Sequence, residues 1–181
     1  MHKYALAASL AFLLATPASP QETENSPCRT LPNGTALDFW LGDWTVQSSA
    51  GEIVGHNRIY PILHGCAIRE EWRGADGGEG RSLFYYDGIA KNWEQVWVTE
   101  DTSKLAGLKR KSLVRVEDDG STIFAGEPSV PGGGTYHDRT KLQPLGENRV
   151  RQIIEFSTDG GKTWNTGFDA IYVRDSKAES D

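Results

Sequence analysis

LDFWLGDWTV, residues 37–46, places three aromatic side chains and two leucines around a single glycine. Its first half, residues 36–41, is apolar nearly all round and long enough for about one helical turn. From Asp43 the pattern alternates, so Trp44 and Val46 share one face of a β-strand. Gly42, at the junction, can adopt backbone conformations closed to other residues. We predict a short helical plug that feeds the first strand of a β-barrel, with Trp44 closing the floor. The alternative is an apolar helix end in an ordinary core.

The first 18 residues have the pattern of a secretory signal peptide. Lys3 supplies the positive start, residues 4–14 are apolar, and residues 15–18 are small. The apolar run is too short to span a membrane, which takes about 20 residues. We predict cleavage after Ala18 and export to the periplasm or the cell exterior. The expected organisation is an extended lead over residues 19–35, one β-barrel domain over 36–174, and a disordered tail over 175–181.

The composition of the chain is acidic, with 19 Lys and Arg against 25 Asp and Glu and a formal net charge of −6. A negative protein is repelled by nucleic acid and by anionic membrane surfaces. No stretch after the signal is apolar enough to span a bilayer. We therefore expect no nucleic-acid partner and no membrane span. The partner expected from the barrel interior, described below, is a small, partly apolar molecule, and the oligomeric state is left open.

The chain contains two cysteines, Cys28 and Cys66. In an exported protein a lone pair of cysteines is expected to form a disulfide. This bond would tie the lead to the barrel, and the chain-entropy model gives it roughly 4 kcal/mol of stabilisation. The alternative is two buried, reduced thiols.

Short β-type segments follow one another after residue 42, separated by turn clusters rich in Gly, Asp and Asn. The spacing of ~8–12 residues, without a helix-length period after Leu41, is typical of an all-β sandwich or barrel. We predict a single antiparallel β-barrel of about eight to ten strands with a short N-terminal helical turn. The expected strands are residues 43–48, 53–63, 66–73, 81–87, 93–99, 105–109, 112–117, 122–125, 135–143, 149–157 and 163–174.

Alternation along these strands places isolated polar residues among apolar ones on the same face. Small-molecule sites are mostly apolar with a few well-placed polar groups. We therefore predict a ligand site inside the barrel. The alternative is a filled core in which the polar groups satisfy one another. The candidate ligand-binding residues are Asn57, Glu70, Trp72, Ser82, Gln95 and Gln152.

Glu70 is the most informative of these residues, because it lies between Ile68 and Trp72 on one face of its strand. If those two are inside the barrel, Glu70 is inside as well. A buried carboxylate without partners would cost several kcal/mol. We therefore expect it within hydrogen-bonding reach of at least one other polar candidate. Desolvation would raise its pKa, as a general acid requires.

STDGGKTW, residues 157–164, fits the Asp-box pattern S-x-D-x-G-x-T-W that recurs in sialidase propellers. One copy is present, and the chain is too short for a propeller of several four-stranded blades. The motif therefore predicts a β-hairpin, in which Asp159 accepts hydrogen bonds from the turn and Trp164 packs beneath it.

The pattern Gly42-Asp43-Trp44 resembles the first-strand signature of lipocalins and related calycin barrels. Over residues 37–174, the order and spacing of motifs resemble a bacterial family named domain of unknown function 1579. That resemblance implies a bacterial origin and a calycin-like barrel, but it supplies no catalytic residues. The motifs are FWLGDW (39–44), GHNRI (55–59), GC (65–66), EEW (70–72), YD (86–87), WEQVWV (93–98), VRQ (150–152) and the Asp box.

The histidines His56, His64 and His137 are scattered and lack the ligand spacing of a zinc site. We predict no metal and no cofactor. Haem is kept as an alternative by analogy with haem-binding calycins, and it would require a histidine that points into the barrel.

The leading hypothesis is therefore an exported barrel that binds a small molecule, a binding protein in preference to an enzyme, with the enzyme question left open. A second hypothesis is an enzyme that uses Glu70 as an acid or base. A third is a cell-envelope scaffold that docks through an exposed, tryptophan-bearing face of residues 93–99.

Overall fold

The computed structural model describes residues 26–100, 107–130 and 132–176. The predicted signal peptide, residues 1–18, lies outside the described residues, as do positions 177–181 of the predicted tail. The described chain forms a closed barrel of ten strands. They are β1 (Gly42–Ser48), β2 (Ile53–Ile62), β3 (Ala67–Gly74), β4 (Glu79–Asp87), β5 (Asn92–Thr99), β6 (Leu108–Val116), β7 (Thr122–Gly126), β8 (His137–Pro144), β9 (Arg149–Ser157) and β10 (Asn165–Arg174).

Every strand pairs antiparallel with its neighbour in sequence, and β1 closes the barrel against β10. In that closing pair Val46 lies opposite Tyr172. Closure satisfies the backbone groups that an open sheet would leave at its edges. The predicted all-β, antiparallel barrel of about eight to ten strands is confirmed.

One part of the predicted strand pattern is wrong. Residues 105–109 and 112–117 were expected to be separate strands, whereas β6 runs unbroken from Leu108 to Val116. Arg110 and Lys111, which look like a polar break, pair with Val96 and Gln95 of β5. The break was inferred because a buried lysine in mid-strand does not follow the usual alternation.

A 3-10 turn over Asp38–Trp40 precedes β1, as the sequence predicted. Trp40 and Trp44 are fully buried, and the Trp44 indole Nε1 donates to the Trp40 carbonyl at 2.9 Å. The Arg174 guanidinium lies over the Trp44 ring, 4.2 Å from its centroid. The turn therefore seals one end of the barrel and is held there by the last strand.

Gly42 is required at this seal. It has a φ of +139°, and a Cβ on it would lie 2.3 Å from Nη1 of Arg174. The same Nη1 donates to the Leu41 carbonyl at 2.7 Å. A side chain at position 42 would therefore displace the arginine that covers Trp44.

Residues 26–36 form successive turns across the sealed end. Cys28 and Cys66 form a disulfide, the predicted pairing, with their sulfur atoms 2.02 Å apart. Two side chains from the barrel also hold this lead: Tyr86 Oη donates to the Pro32 carbonyl at 2.8 Å, and Trp93 Nε1 donates to the Asn33 carbonyl at 2.9 Å.

The opposite end of the barrel, called the mouth below, carries the connections β1–β2, β3–β4, β5–β6, β7–β8 and β9–β10. This follows from the antiparallel order, because odd-numbered strands start at the sealed end and finish at the mouth. Among the described residues, no helix has both the length and the apolar character needed to cross a membrane.

The interior is a packed core toward the sealed end. Phe84 lies at its centre, with its ring centroid 5.4 Å from that of Trp40 and 5.3 Å from that of Phe124, both in edge-on geometry. Edge-on aromatic pairs add stability beyond the area they bury. Toward the mouth this core gives way to a cavity.

Candidate functional site

The cavity has a volume of about 230 Å³. Its lining comes from strands β3, β5, β6, β8, β9 and β10, so the closed barrel itself forms the walls. The lining residues combine aromatic, amide and charged side chains. They are Glu70, Trp72, Gln95, Trp97, Lys109, Lys111, Thr140, Gln152, Ile154, Phe168 and Tyr172.

The part of the cavity wall nearest the mouth is apolar. Trp72, Trp97, Ile154 and Phe168 form it near the mouth ends of their strands. Trp72 and Phe168 meet edge to face, with centroids 6.0 Å apart and planes at 90°. Such a surface suits an aromatic or branched aliphatic group.

Two buried glycines make room for the tryptophans of this wall. A Cβ on Gly80 would lie 2.1 Å from Cζ2 of Trp97, and one on Gly55 would lie 2.5 Å from Cη2 of Trp72. Neither distance is sterically possible, so each indole rests against bare backbone. The shape of the cavity therefore depends on glycine at both positions.

Glu70 faces the interior and is 4% exposed. Asn57 Nδ2 on β2 donates to Glu70 Oε1 at 2.8 Å. Ser82 on β4 lies directly opposite Glu70 in the strand register. The prediction that Glu70 points inward with a polar partner is confirmed.

Burial raises the pKa of Glu70, because desolvation penalises the carboxylate form. Hydrogen bonds from Ser82 and Asn57 act in the opposite direction, as does the positive charge of Lys111, but they are smaller. The site therefore favours the neutral, protonated acid more than water does.

The amide and hydroxyl groups around Glu70 form a connected set. Tyr172 Oη donates to Gln152 Oε1 at 2.6 Å, and Gln95 Nε2 donates to Ser82 Oγ at 3.0 Å. Asn57 Nδ2 also lies 3.4 Å from Tyr172 Oη. Burial raises the pKa of Tyr172, so this phenol stays protonated and acts as a donor.

The structure brings the six predicted site residues together at one place. Glu70, Trp72, Gln95 and Gln152 line the cavity directly. Asn57 and Ser82 are buried beside it, where they contact Glu70 and Gln95 respectively. This arrangement combines the two alternatives from the sequence, since the polar groups hydrogen-bond to one another and still border a cavity.

A second polar cluster, not among the predicted site residues, faces Glu70 across the barrel. Lys109 Nζ donates to Asp138 Oδ2 at 2.6 Å, and Lys111 forms an ion pair with the other carboxylate oxygen of Asp138. Lys111 Nζ also donates to Thr140 Oγ1 at 2.5 Å. The Lys111 and Asp138 side chains are only 4% and 1% exposed.

Burial lowers the pKa of Lys111 to about 8, although the charge of Asp138 opposes the shift. The same environment acts on Tyr136, whose Oη lies 3.5 Å from Asp138 Oδ2. Burial and the negative charge raise the pKa of Tyr136 to about 12. Lys111 is therefore a buried cation that titrates close to neutral pH.

The cluster was missed for a reason that lies in the strand pattern. The expected break at residues 110–111 removed Lys111 from any strand, so its face was never assigned. In β8, Asp138 and Thr140 share a face with the apolar Leu142, all three of them buried. Alternation over the predicted strand 135–143 puts Asp138 and Thr140 on the same face as the apolar Leu142. That pattern was the sequence signal that could have revealed the cluster.

The tryptophans of β5 point into the barrel. Trp93 is 1% exposed and Trp97 lines the cavity, whereas Val96 and Val98 lie on the outer face. The expected exposed, tryptophan-bearing docking face is therefore wrong. Gln95 lies between the two tryptophans on the same face of β5, and it is buried as well.

The three histidines considered as ligands lie away from the cavity. His56 and His64 are exposed, and His137 is paired with Glu127 through Nδ1 and Oε1 at 3.3 Å. None of these three meets the condition set for a haem ligand, which was an inward-pointing ring. Within the described ranges, no group of three or more His, Cys, Asp or Glu is arranged to hold a metal ion.

The Asp-box residues form the β9–β10 hairpin at the mouth. Asp159 Oδ1 accepts from the backbone amides of Lys162 and Thr163 at 3.0 and 2.9 Å. These bonds hold the pKa of Asp159 well below its usual range. Trp164 lies beneath the Arg139 guanidinium, with 3.9 Å between guanidinium and ring centroid. The motif stabilises the rim.

Comparison of this chain with the models of known protein families, and with curated proteins, gives no match.

Proposed function

We propose that this protein binds a small, partly apolar molecule in the cavity at the mouth of its barrel. The observation that carries the proposal is the cavity of about 230 Å³, in which an aromatic wall faces buried polar groups. Apolar surface supplies binding free energy, and a few convergent polar groups fix the orientation of a ligand.

The size of the cavity limits the ligand. Pockets for drug-sized molecules measure about 300–1,000 Å³, while a cavity of about 150 Å³ accommodates benzene. The present volume lies between these values. The expected ligand is therefore one ring, or a branched chain of similar size, with a few additional atoms.

The cavity is largely preformed, which favours binding over a structural role alone. Its walls are strands hydrogen-bonded all round the barrel. A rigid site loses little conformational entropy when a ligand enters. The lining side chains Gln152 and Tyr172 are also fixed by their mutual hydrogen bond.

A library of small aromatic and branched molecules, containing acids, amides, amines and neutral compounds, tests the proposal. Thermal shift and intrinsic fluorescence are read on the wild-type protein, since Trp72 and Trp97 line the cavity. The Ile154→Trp variant fills the cavity, whereas the matched Ile153→Trp variant places the same bulk on the opposite face of β9.

The expected result is that some compounds raise the melting temperature of the wild type and of Ile153→Trp, but not of Ile154→Trp. If no compound does so, or if Ile154→Trp responds as the wild type does, the cavity is not a ligand site.

A second candidate function is catalysis on the bound molecule. It is favoured because Glu70 and Lys111 face each other across the cavity. Both line it, and the positive charge of Lys111 acts on the Glu70 carboxyl group. A protonated Glu70 could act as a general acid.

Mass spectrometry of each bound compound after incubation with the protein tests for catalysis. Chemical change by the wild type but not by Glu70→Gln supports catalysis, and recovery of unchanged compound from both supports binding alone.

Export, and membership of the bacterial family named domain of unknown function 1579, are part of the same proposal. The Cys28–Cys66 disulfide supports export, because disulfides persist in oxidising compartments. The N-terminal sequence of the protein purified from its native cells tests the cleavage after Ala18. Recovery with residues 1–18 intact from the cytoplasm would contradict it.

A further inference from the structure

We propose that the ligand of this cavity carries a single negative charge, a carboxylate on a small aromatic or branched body, held by the ammonium groups of Lys109 and Lys111. The inference rests on the proposed function and names the chemical class of the ligand.

The positions of the two lysines are the first reason. Both line the cavity, and both ammonium groups bind the same carboxylate, that of Asp138. Asp138 is 1% exposed and, unlike the two lysines, is not among the residues that line the cavity, so the cavity meets the cations and not the anion. Each ammonium has three donor hydrogens. The contacts with Asp138 and Thr140 therefore leave Lys109 and Lys111 with donor capacity for a ligand.

The balance of charge in this cluster is the second reason. Lys109 and Lys111 contribute two positive charges, and Asp138 contributes one negative charge. The remaining acid at the cavity is Glu70, which is fully buried and bonded to Asn57. Burial favours its neutral form. Around Asp138 the two lysines leave one positive charge in excess, and a monoanion that contacts their ammonium groups compensates it.

A cationic ligand is disfavoured by the same arrangement. It would have to bind either Asp138, which two lysines already cover, or Glu70, whose carboxylate form is disfavoured by burial. A buried charge without compensation is costly. The charged residues at the cavity therefore favour a ligand with a carboxylate over one with an ammonium group.

The apolar wall determines the rest of the ligand. Trp72 and Phe168 lie toward the mouth on β3 and β10, whereas both lysines lie on β6, where Lys109 is paired in register with Trp97 of β5. A molecule with its acid group at Lys111 would therefore rest its ring against the tryptophans. Phenylacetate has this shape and fits a cavity of this size.

Three isosteric probes test the charge on the wild-type protein: phenylacetate, phenylacetamide and phenethylamine. They are titrated calorimetrically at pH 7 in the same buffer. We expect phenylacetate to bind about tenfold more tightly than phenylacetamide, and phenethylamine to bind most weakly, because a charge-assisted hydrogen bond exceeds a neutral one.

Equal affinity for the acid and the amide would overturn the inference, as would tighter binding of the amine. Failure of all three probes would overturn it as well. The proposed function would still stand in each of these cases if other library compounds bound the wild type but not Ile154→Trp.

Two lysine variants test where the charge acts. Lys109→Met removes one cation and leaves Asp138 paired with Lys111, so the fold is expected to persist. Lys141→Met is the matched control, because Lys141 lies on the outer face of β8 and pairs with Glu117. We expect Lys109→Met to weaken phenylacetate binding about fivefold and to leave phenylacetamide unchanged, while Lys141→Met changes neither. Equal weakening of both probes by Lys109→Met would show a general loss of cavity structure and would overturn the assigned role.

Discussion

Asn57 on β2 donates a hydrogen bond from Nδ2 to Oε1 of Glu70 on β3, across 2.8 Å and out of contact with solvent. This bond persists in either protonation state of Glu70, because a carboxylate and a carboxyl carbonyl both accept. Asn57 therefore orients the acid in both states, and its hydrogen bond also opposes the rise in pKa that burial causes. Burial is the largest influence on the pKa of Glu70, and Lys111, which faces it from β6, opposes burial together with Ser82 and Asn57.

The first prediction concerns Glu70→Gln and stability. Burial raises the pKa of Glu70 in the folded state above its unfolded value of about 4.5. Stability from the neutral form is fully present below that value, and it is lost as pH rises through the folded pKa. Glutamine does not ionise, so the Glu70→Gln variant does not lose this stability as pH rises. The variant is therefore expected to gain stability relative to the wild type as pH rises from 4.5 to 7.

The measurement is unfolding by guanidinium chloride at several pH values. Glu71→Gln serves as the control, because Glu71 lies next to Glu70 on the outer face of the strand. A stability difference between Glu70→Gln and the wild type that does not change with pH would contradict the prediction.

The second prediction concerns Gly80→Ala. The new Cβ would lie 2.1 Å from Trp97 Cζ2, so the indole must move into the cavity. Overpacking of this kind costs about 1–3 kcal/mol. We expect that loss in unfolding free energy, together with weaker binding of every cavity ligand.

Gly88→Ala provides the comparison, because nothing lies within 4 Å of the position of its Cβ. This variant is expected to stay within about 0.5 kcal/mol of the wild type. If Gly80→Ala binds ligands as the wild type does, Trp97 does not shape the site.

The third prediction concerns the pH dependence of carboxylate binding. Lys111 faces Asp138 on β8, Lys109 on its own strand and Glu70 on β3, and its pKa is lowered to about 8. Above that pH the ammonium loses its proton and its charge. Phenylacetate affinity is expected to be constant from pH 6 to pH 7 and to fall about fivefold by pH 9.

Calorimetric titration at each pH gives the profile, and phenylacetamide, which lacks a charge, is expected to show no such decline. A phenylacetate profile that stays level to pH 9 would mean that Lys111 does not contribute its charge to binding.

The fourth prediction concerns the disulfide. Cys28→Ser combined with Cys66→Ser is expected to lower the free energy of unfolding by roughly 4 kcal/mol in the chain-entropy model. Ligand affinity is expected to be retained in the folded variant, because the bond lies at the sealed end, opposite the mouth. Chemical unfolding and ligand titration measure the two effects. A loss below about 1 kcal/mol would show that hydrogen bonds from Tyr86 and Trp93 hold the lead without it.

The sequence by itself determined the class of fold, because alternation and turn residues are local properties. It identified the plug over Asp38–Trp40 and the inward face of Glu70, since Ile68 and Trp72 on the same strand leave only one parity. It also paired Cys28 with Cys66, because no other cysteine was present.

The tertiary structure alone decided which groups face one another. Lys111 and Asp138 are 27 residues apart and lie on strands that are not neighbours, so their pairing across the interior leaves no periodic signal. A buried lysine also breaks the pattern from which strands are inferred, because its burial depends on a distant carboxylate. The division between packed core and open cavity was decided in the same way, by whether glycines such as Gly80 let a tryptophan lie against the wall.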